Sequence, residues 1–252
     1  MAAVRSLQKG IDILFLFSLE RPSMTVEEIA QGIRMPVPTA YRFVKTLKEK
    51  GLLEPESRPG HYCLGLKLLE LEGVIHRKMD LESVSIPLLK ELAAKTGETA
   101  QLTVISADRG ICIYVEESPS ALRVAPEKGR ALPLHAGASV QAILAFLPEG
   151  DQERICEGPL QRFTPGTITL PRVLRKRLAT IRDQRYVITS EEVYIGSVGI
   201  AAPIFNRDRR VIASVALSGP IQRMTEKRRE NIKAEVMRVA SEISQTLGSP
   251  PK

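Results

Sequence analysis

The sequence predicts an α+β fold, and three observations carry that prediction. Three helical repeats and a turn-rich hairpin fill the first 65 positions, a single apolar helical stripe follows, and beyond it β-rich segments alternate with amphipathic helices. Short turns between neighbouring strands suit a largely antiparallel sheet with helices packed against it. At roughly 150 residues per domain, the 252-residue length allows one large domain or two modest ones.

The first helix follows from Leu7, Ile11, Leu14 and Phe15, which recur at helical spacing while Gln8, Lys9 and Asp12 face away. Pro22 and Ser23 end it. Thr25 with Glu28 three residues on forms a capping box for a second helix, and Met24 can staple onto Ile29 across that start. Gly32 and Pro36 stop this helix after Ile33, and a third begins near Pro38. In the third, Ala40, Phe43, Val44 and Leu47 make an inner face, which puts Thr39, Tyr41, Arg42, Lys45 and Lys48 outside. Gly51 terminates it. Residues 52–54 and 61–64 then flank the turn-rich stretch 55–60 as a hairpin.

Helix, helix, turn, helix, hairpin is the order of a winged helix-turn-helix. A third helix of this kind fits a DNA major groove about 12 Å wide and carries hydroxyl, guanidinium and ammonium donors toward it. Thr39, Tyr41 and Arg42 stand early enough to reach bases or phosphates, Lys45 and Lys48 to meet phosphates, and Arg58 on the wing tip to enter a minor groove or touch backbone. The competing reading is a helical module whose polar face is only solvated.

Leu68, Leu71, Ile75 and Met79 form a stripe that predicts a linker helix over 66–80. Its apolar face either pairs with a second copy, giving two readers on a two-fold axis, or packs on its own domain. The predicted division is therefore 1–65, 66–80 and 81–252. In the last part Leu88, Leu89, Leu92 and Ala93 predict a helix from Ile86, and 101–106 and 111–116 a hairpin around Asp108-Arg109-Gly110. Another strand is expected over 122–124, a helix from Gly137-Ala138-Ser139 to Leu147, and a basic amphipathic helix over 171–184. Strands over 186–189, 199–205 and 211–217 precede a final helix from Thr225 to Leu247, stopped by Gly248. The small-residue stretches 134–139, 196–202 and 216–219 leave room for a ligand and bare its backbone, or simply allow tight packing.

Charge and composition narrow the function classes. Thirty-six Lys and Arg against 29 Asp and Glu give a formal charge of +7, which permits polyanion binding. Residues 1–65 hold only nine basic against seven acidic residues, so net charge does not locate the site. No apolar run approaches the roughly 20 residues of a membrane span. The opening residues lack a secretory layout, so a cytoplasmic address is expected. Cys63, Cys112 and Cys156 are odd in number and widely spaced, which predicts no disulfide framework and no Cys-x-x-Cys knuckle. His61, His76 and His135 form no zinc-hydrolase pair, and Ser139 lacks a Gly-x-Ser-x-Gly elbow. Glu116-Glu117 and Glu191-Glu192 are sequence neighbours that a strand turns to opposite faces. A chain without metal, cofactor or enzymatic activity is expected.

The pattern Val4-Arg5-Ser6-Leu7…Ile11…Leu14, the run from Pro38 to Val44 with Leu47, and Tyr62-x-Leu64-Gly65 resemble the IclR family of transcription regulators. So do Leu134-His135-Ala136-x-Ala138-Ser139, then Glu192…Gly199-Ile200-Ala201-Ala202-Pro203, and Ser218-Gly219-Pro220. The resemblance implies a winged helix-turn-helix on double-stranded promoter DNA, a linker helix, and a GAF-like effector domain that binds a small molecule. It implies homodimers or dimers of dimers. By the same resemblance, Ala136, Ala138, Ser139, Thr189, Gly199, Ala216 and Ser218 contact the effector. Two departures stand out: Val140-Gln141 replaces the usual Gly-Lys, and Gly199 and Ala216 stand where other members often carry Cys or Ser. These predict a roomier, less polar cavity suited to an aromatic or longer-chain acid. Two function classes follow: a ligand-responsive DNA-binding regulator, which leads, and a metabolite-binding protein or enzyme whose helix-turn-helix serves protein contacts.

Overall fold

The computed structural model describes residues 4–76 and 80–248, and the chain divides into two compact units, Met1–Met79 and Asp80–Lys252. Met79 of the linker stripe lies outside the described residues.

The first unit runs α1 (Arg5–Leu14), β1 (Ser23–Thr25), α2 (Val26–Gly32), α3 (Val37–Glu49), β2 (Leu53–Pro55), β3 (His61–Leu64) and α4 (Lys67–His76). The capping box forms as expected: the Glu28 amide donates to Thr25 Oγ1 at 3.3 Å, and the Thr25 amide to Glu28 Oε2 at 2.8 Å. Pro38 sits in the first turn of α3, where its missing N–H costs nothing. The residue that turns the chain between α2 and α3 is Arg34, at φ +51°, in a left-handed conformation that glycine usually supplies. The wing strands pair antiparallel, and a strand not expected from the sequence, β1, joins them in the order β1-β3-β2.

The core of this unit gathers Ile13, Phe17, Met24, Ile29, Ala40, Val44, Leu47 and Leu53. The expected inner stripe of α1 is therefore corrected. Leu7, Ile11 and Phe15 are exposed, Phe15 by 78%, and Ile13 and Phe17 enter the core instead. Periodicity shows that a helix side is apolar; which part is covered depends on what packs there. Leu64, Leu66, Leu69 and Leu71 at the start of the linker are likewise exposed.

The second unit contains α5 (Asp80–Thr96), β4 (Thr99–Ser106), β5 (Arg109–Glu116), β6 (Ala131–Pro133), α6 (Ala138–Leu144), α7 (Glu149–Glu157), α8 (Pro171–Gln184), β7 (Val187–Ser190), β8 (Ser197–Phe205), β9 (Val211–Pro220) and α9 (Glu226–Thr246). Helix α5 starts earlier than expected and carries Pro87 within it. No strand covers 122–124; the edge strand is Ala131–Pro133, and Leu122 is exposed. Helix α7 escaped the sequence reading because it offers few apolar positions, although Pro148 and the acidic Glu149 and Asp151 mark its start.

Six strands form one antiparallel sheet in the order β6-β5-β4-β9-β8-β7. Its register explains its two faces. Leu102 pairs with Val215 and Ala202 with Val215, and Ala100 and Ile200 both pair with Leu217, so one face is continuously apolar; α5 and α9 pack on it. On the other face Thr99 pairs with Ser218, Ser218 with Gly199 and Gly199 with Thr189, while Gln101 and Ala201 flank Ala216. That face lies under α6, held by Ser214 Oγ donating to the Ser139 carbonyl at 2.7 Å. A buried sheet face made of Thr, Gln, Ser, Gly and Ala does not fill its space as Val and Leu would.

Candidate nucleic-acid interface and effector cavity

Helix α3 presents Tyr41, Arg42, Lys45 and Lys48 on an exposed face opposite buried Ala40, Val44 and Leu47. Tyr41 is 57% exposed although its ring is apolar. Thr39 sits on the flank and is half-buried. Arg58 is exposed at the wing tip, where its carbonyl accepts the His61 amide at 3.2 Å. Among the described residues no carboxylate pairs with Arg42, Lys45, Lys48 or Arg58. Cations without internal counter-charge on a helix and a neighbouring wing are what a phosphate backbone needs.

In the second unit a cavity of about 60 Å³ opens between α6 and the polar sheet face. Ala138, Ser139, Thr189, Gly199, Ala216 and Ser218 all line it; Ala136 does not, being fully buried beside it. The structure adds Gln101, Leu132, Glu192 and Tyr194 to the lining. Only the register could have found Gln101, because it lies far from Ala216 in sequence but opposite it in the sheet. The structure corrects the expectation of a roomy, weakly polar chamber. A cavity that holds benzene measures about 150 Å³, well over twice this one. The missing side chain at Gly199 frees little space, since a Cβ there would stand 3.1 Å from the Ala138 Cβ and 3.2 Å from Thr189 Oγ1.

Glu192 closes one side and is buried. Its Oε2 accepts the Gly137 amide at 3.1 Å and Gln141 Nε2 at 2.5 Å, and the same Nε2 donates to the His135 carbonyl at 2.7 Å. Burial pushes the Glu192 carboxyl above its ordinary 4.5, against the opposing pull of the Gly137 amide, Arg177 and Gln141. The folded state therefore binds this proton more tightly than the unfolded chain, so the stability it contributes is full at low pH and declines as pH rises above 4.5. Replacing Glu192 with Gln, which keeps an acceptor for both donors, is expected to flatten that decline in melting temperature against pH. An unchanged slope would assign the titration elsewhere.

Comparison with known proteins decides the family. The description "Bacterial transcriptional regulator IclR C-terminal" matches residues 74–245, and "IclR helix-turn-helix domain" matches 6–57. The chain belongs to the IclR family. An IclR-family relative in Bacillus subtilis strain 168, the HTH-type transcriptional regulator KipR, is 33% identical over 97% of this chain and 97% of its own. The solved IclR of Thermotoga maritima is similar with a TM-score of 0.72 and 30% identity, covering 98% of this chain and 100% of that one. An IclR homolog from Microbacterium hydrocarbonoxydans, solved in complex with 4-hydroxybenzoate, has a TM-score of 0.83 and 27% identity over 96% of this chain and 98% of that one.

The family's α+β architecture is thus the observed one, an N-terminal helix-turn-helix followed by an antiparallel sheet flanked by helices. This IclR-family chain is a transcription regulator. Its departure at Gln141 also gains a physical meaning. Where the family resemblance expects a lysine, a neutral amide contacts Glu192, so the buried carboxyl lacks the cation that would hold it ionised.

Proposed function

We propose that this regulator binds operator DNA in its target promoter as a homo-oligomer and that a small organic metabolite in the α6 cavity modulates that binding. Residues 1–65 read the DNA, 66–80 link, and 81–252 sense. The observation that carries the reading is the exposed face of Tyr41, Arg42, Lys45 and Lys48 on α3, with Arg58 on the adjoining wing. The effector contacts are Ala138, Ser139, Thr189, Gly199, Ala216 and Ser218, around a cavity that also has polar groups to satisfy. The complex of the Microbacterium homolog with 4-hydroxybenzoate supports a ligand site in this domain.

Self-association is supported by the bare apolar surface of the first unit. Val4, Leu7, Ile11 and Phe15 form a stripe along α1, and Leu66 and Leu69 are exposed at the head of α4; water contact at so many large side chains favours burial against a second copy. A cytoplasmic setting and a non-enzymatic role follow from the same regulator reading, and the relatives' names as transcriptional regulators support them. Effector binding acts by population shift: a ligand that prefers one arrangement of the readers enriches it by the ratio of its affinities.

The test is a mobility shift on DNA upstream of the gene, repeated across a salt series. Affinity is expected to fall steeply with ionic strength. Arg42→Ala should weaken operator binding by roughly 10- to 100-fold, the range for one lost base or phosphate contact, while ligand affinity is unchanged. An unaltered shift removes Arg42 from the reading face.

A further inference from the structure

Gln101 stands in the middle of β4, between Val115 of β5 and Ala216 of β9, on the polar face under α6. Its side chain is 7% exposed, and its Oε1 is buried with no hydrogen-bond partner. A buried amide oxygen without a donor is costly, and native folds tolerate it mainly where a ligand or water completes it. Gln101 forms part of the wall of the 60 Å³ cavity and also of an adjoining one of about 20 Å³, together with Ser139, Leu132 and Pro126. The unsatisfied atom thus belongs to the ligand chamber.

Arg130 lines the smaller chamber. It is half-buried, its guanidinium lies 5.0 Å from the centre of the Tyr194 ring, and Tyr194 itself lines the larger chamber. Among the described residues no carboxylate pairs with Arg130. The two chambers therefore bring together an unpaired acceptor and a cation held in place by stacking. A ligand that satisfies both must carry an anionic group and a hydrogen-bond donor. That donor is neutral, because an ammonium group would be repelled by Arg130.

We propose that Gln101 and Arg130 select the effector as a small hydroxy acid, with the ligand hydroxyl donating to Gln101 Oε1 and its carboxylate facing Arg130. This rests on the reading of the α6 cavity as the effector site. Gln101 sets the demand for a hydroxyl and Arg130 the demand for an anion, so the two preferences separate on mutation. Sites built to bond a hydroxyl reject analogues that lack it far more strongly than apolar pockets reject an extra group.

Calorimetric titration of the full chain with glycolate against acetate, and with lactate against propionate, tests this. The wild type is expected to bind each hydroxy acid at least about tenfold more tightly than its partner. Gln101→Met should bring each ratio near one, while Arg130→Gln should weaken all four acids and keep the ratios. Equal binding within the wild-type pairs, no binding of any of the four, or a ratio that survives Gln101→Met overturns the proposal. If Gln101→Met fails to fold, the shorter amide in Gln101→Asn must still reduce the ratio, and the wild-type ratio decides on its own. A mobility shift on the same preparations keeps the two readings apart: operator DNA retained while the hydroxy acids are ignored sinks only this inference, and DNA ignored as well sinks the regulator reading.

Discussion

Replacing Arg223 and Arg228 together with methionine is expected to lower the unfolding free energy of the second unit by about 3–5 kcal/mol, the cost of leaving a buried carboxylate without its cations. Glu98 is that carboxylate. Its side chain is fully buried; its Oε2 lies 2.7 Å from Arg223 Nη2, and its Oε1 lies 3.0 Å from Arg223 Nε and 2.9 Å from Arg228 Nη2. Arg228 also donates to the Thr96 carbonyl at 2.9 Å, so the cluster ties the start of α9 and the turn before it to the end of α5 and the start of β4. The two guanidiniums keep 28% and 39% exposure and can rehydrate, whereas Glu98 cannot. Removing the acid should therefore cost less than removing the bases. Adding Glu98→Gln to the double variant should restore most of the loss, a coupling that denaturant unfolding of the four combinations measures. Equal destabilisation with and without Glu98→Gln would show that packing, not charge, holds this corner.

Gly65→Ala is the second large effect. A Cβ at Gly65 would stand 2.1 Å from the Gly51 carbonyl oxygen and 2.8 Å from its carbon. Both obstacles are backbone, and the Gly65 amide is already committed to the Leu52 carbonyl at 2.9 Å, so no flexible side chain can yield. The expected cost is about 3 kcal/mol, the upper end of ordinary overpacking. The contact joins the exit of the wing to the end of α3, so operator affinity should fall with stability. Gly60→Ala is the comparison: at φ +77° with nothing within 4 Å, it bears only the left-handed strain of about 1 kcal/mol. If the two alanines behave alike in melting and DNA binding, the close approach at Gly65 carries no weight.

Much of the first unit was legible because its signals are local. The capping box at Thr25 and Glu28, the proline in the first turn of α3 and the turn-rich wing each act within a few residues, and all appear as expected. The reading face of α3 follows from spacing alone, since a helix turns its residues by a constant angle. The α1 stripe did not translate, because exposure depends on neighbours. The edge strand at 131–133 and the helix α7 also went unread, one being short and the other nearly all polar.

The cavity separates the two kinds of information further. Resemblance brought Ala138, Ser139, Thr189, Gly199, Ala216 and Ser218 together as one set, and sheet register places all six on a single wall. Its size and polarity were misjudged, because Gln101, Glu192 and Tyr194 enter it from other parts of the chain. By itself, then, the amino-acid order determined the helix starts, the reading face of α3 and the order of the parts, all set by interactions between near neighbours. Only the folded sheet decided which distant side chains share the cavity and which buried atom there lacks a partner, because those contacts exist only after strands remote in sequence have paired.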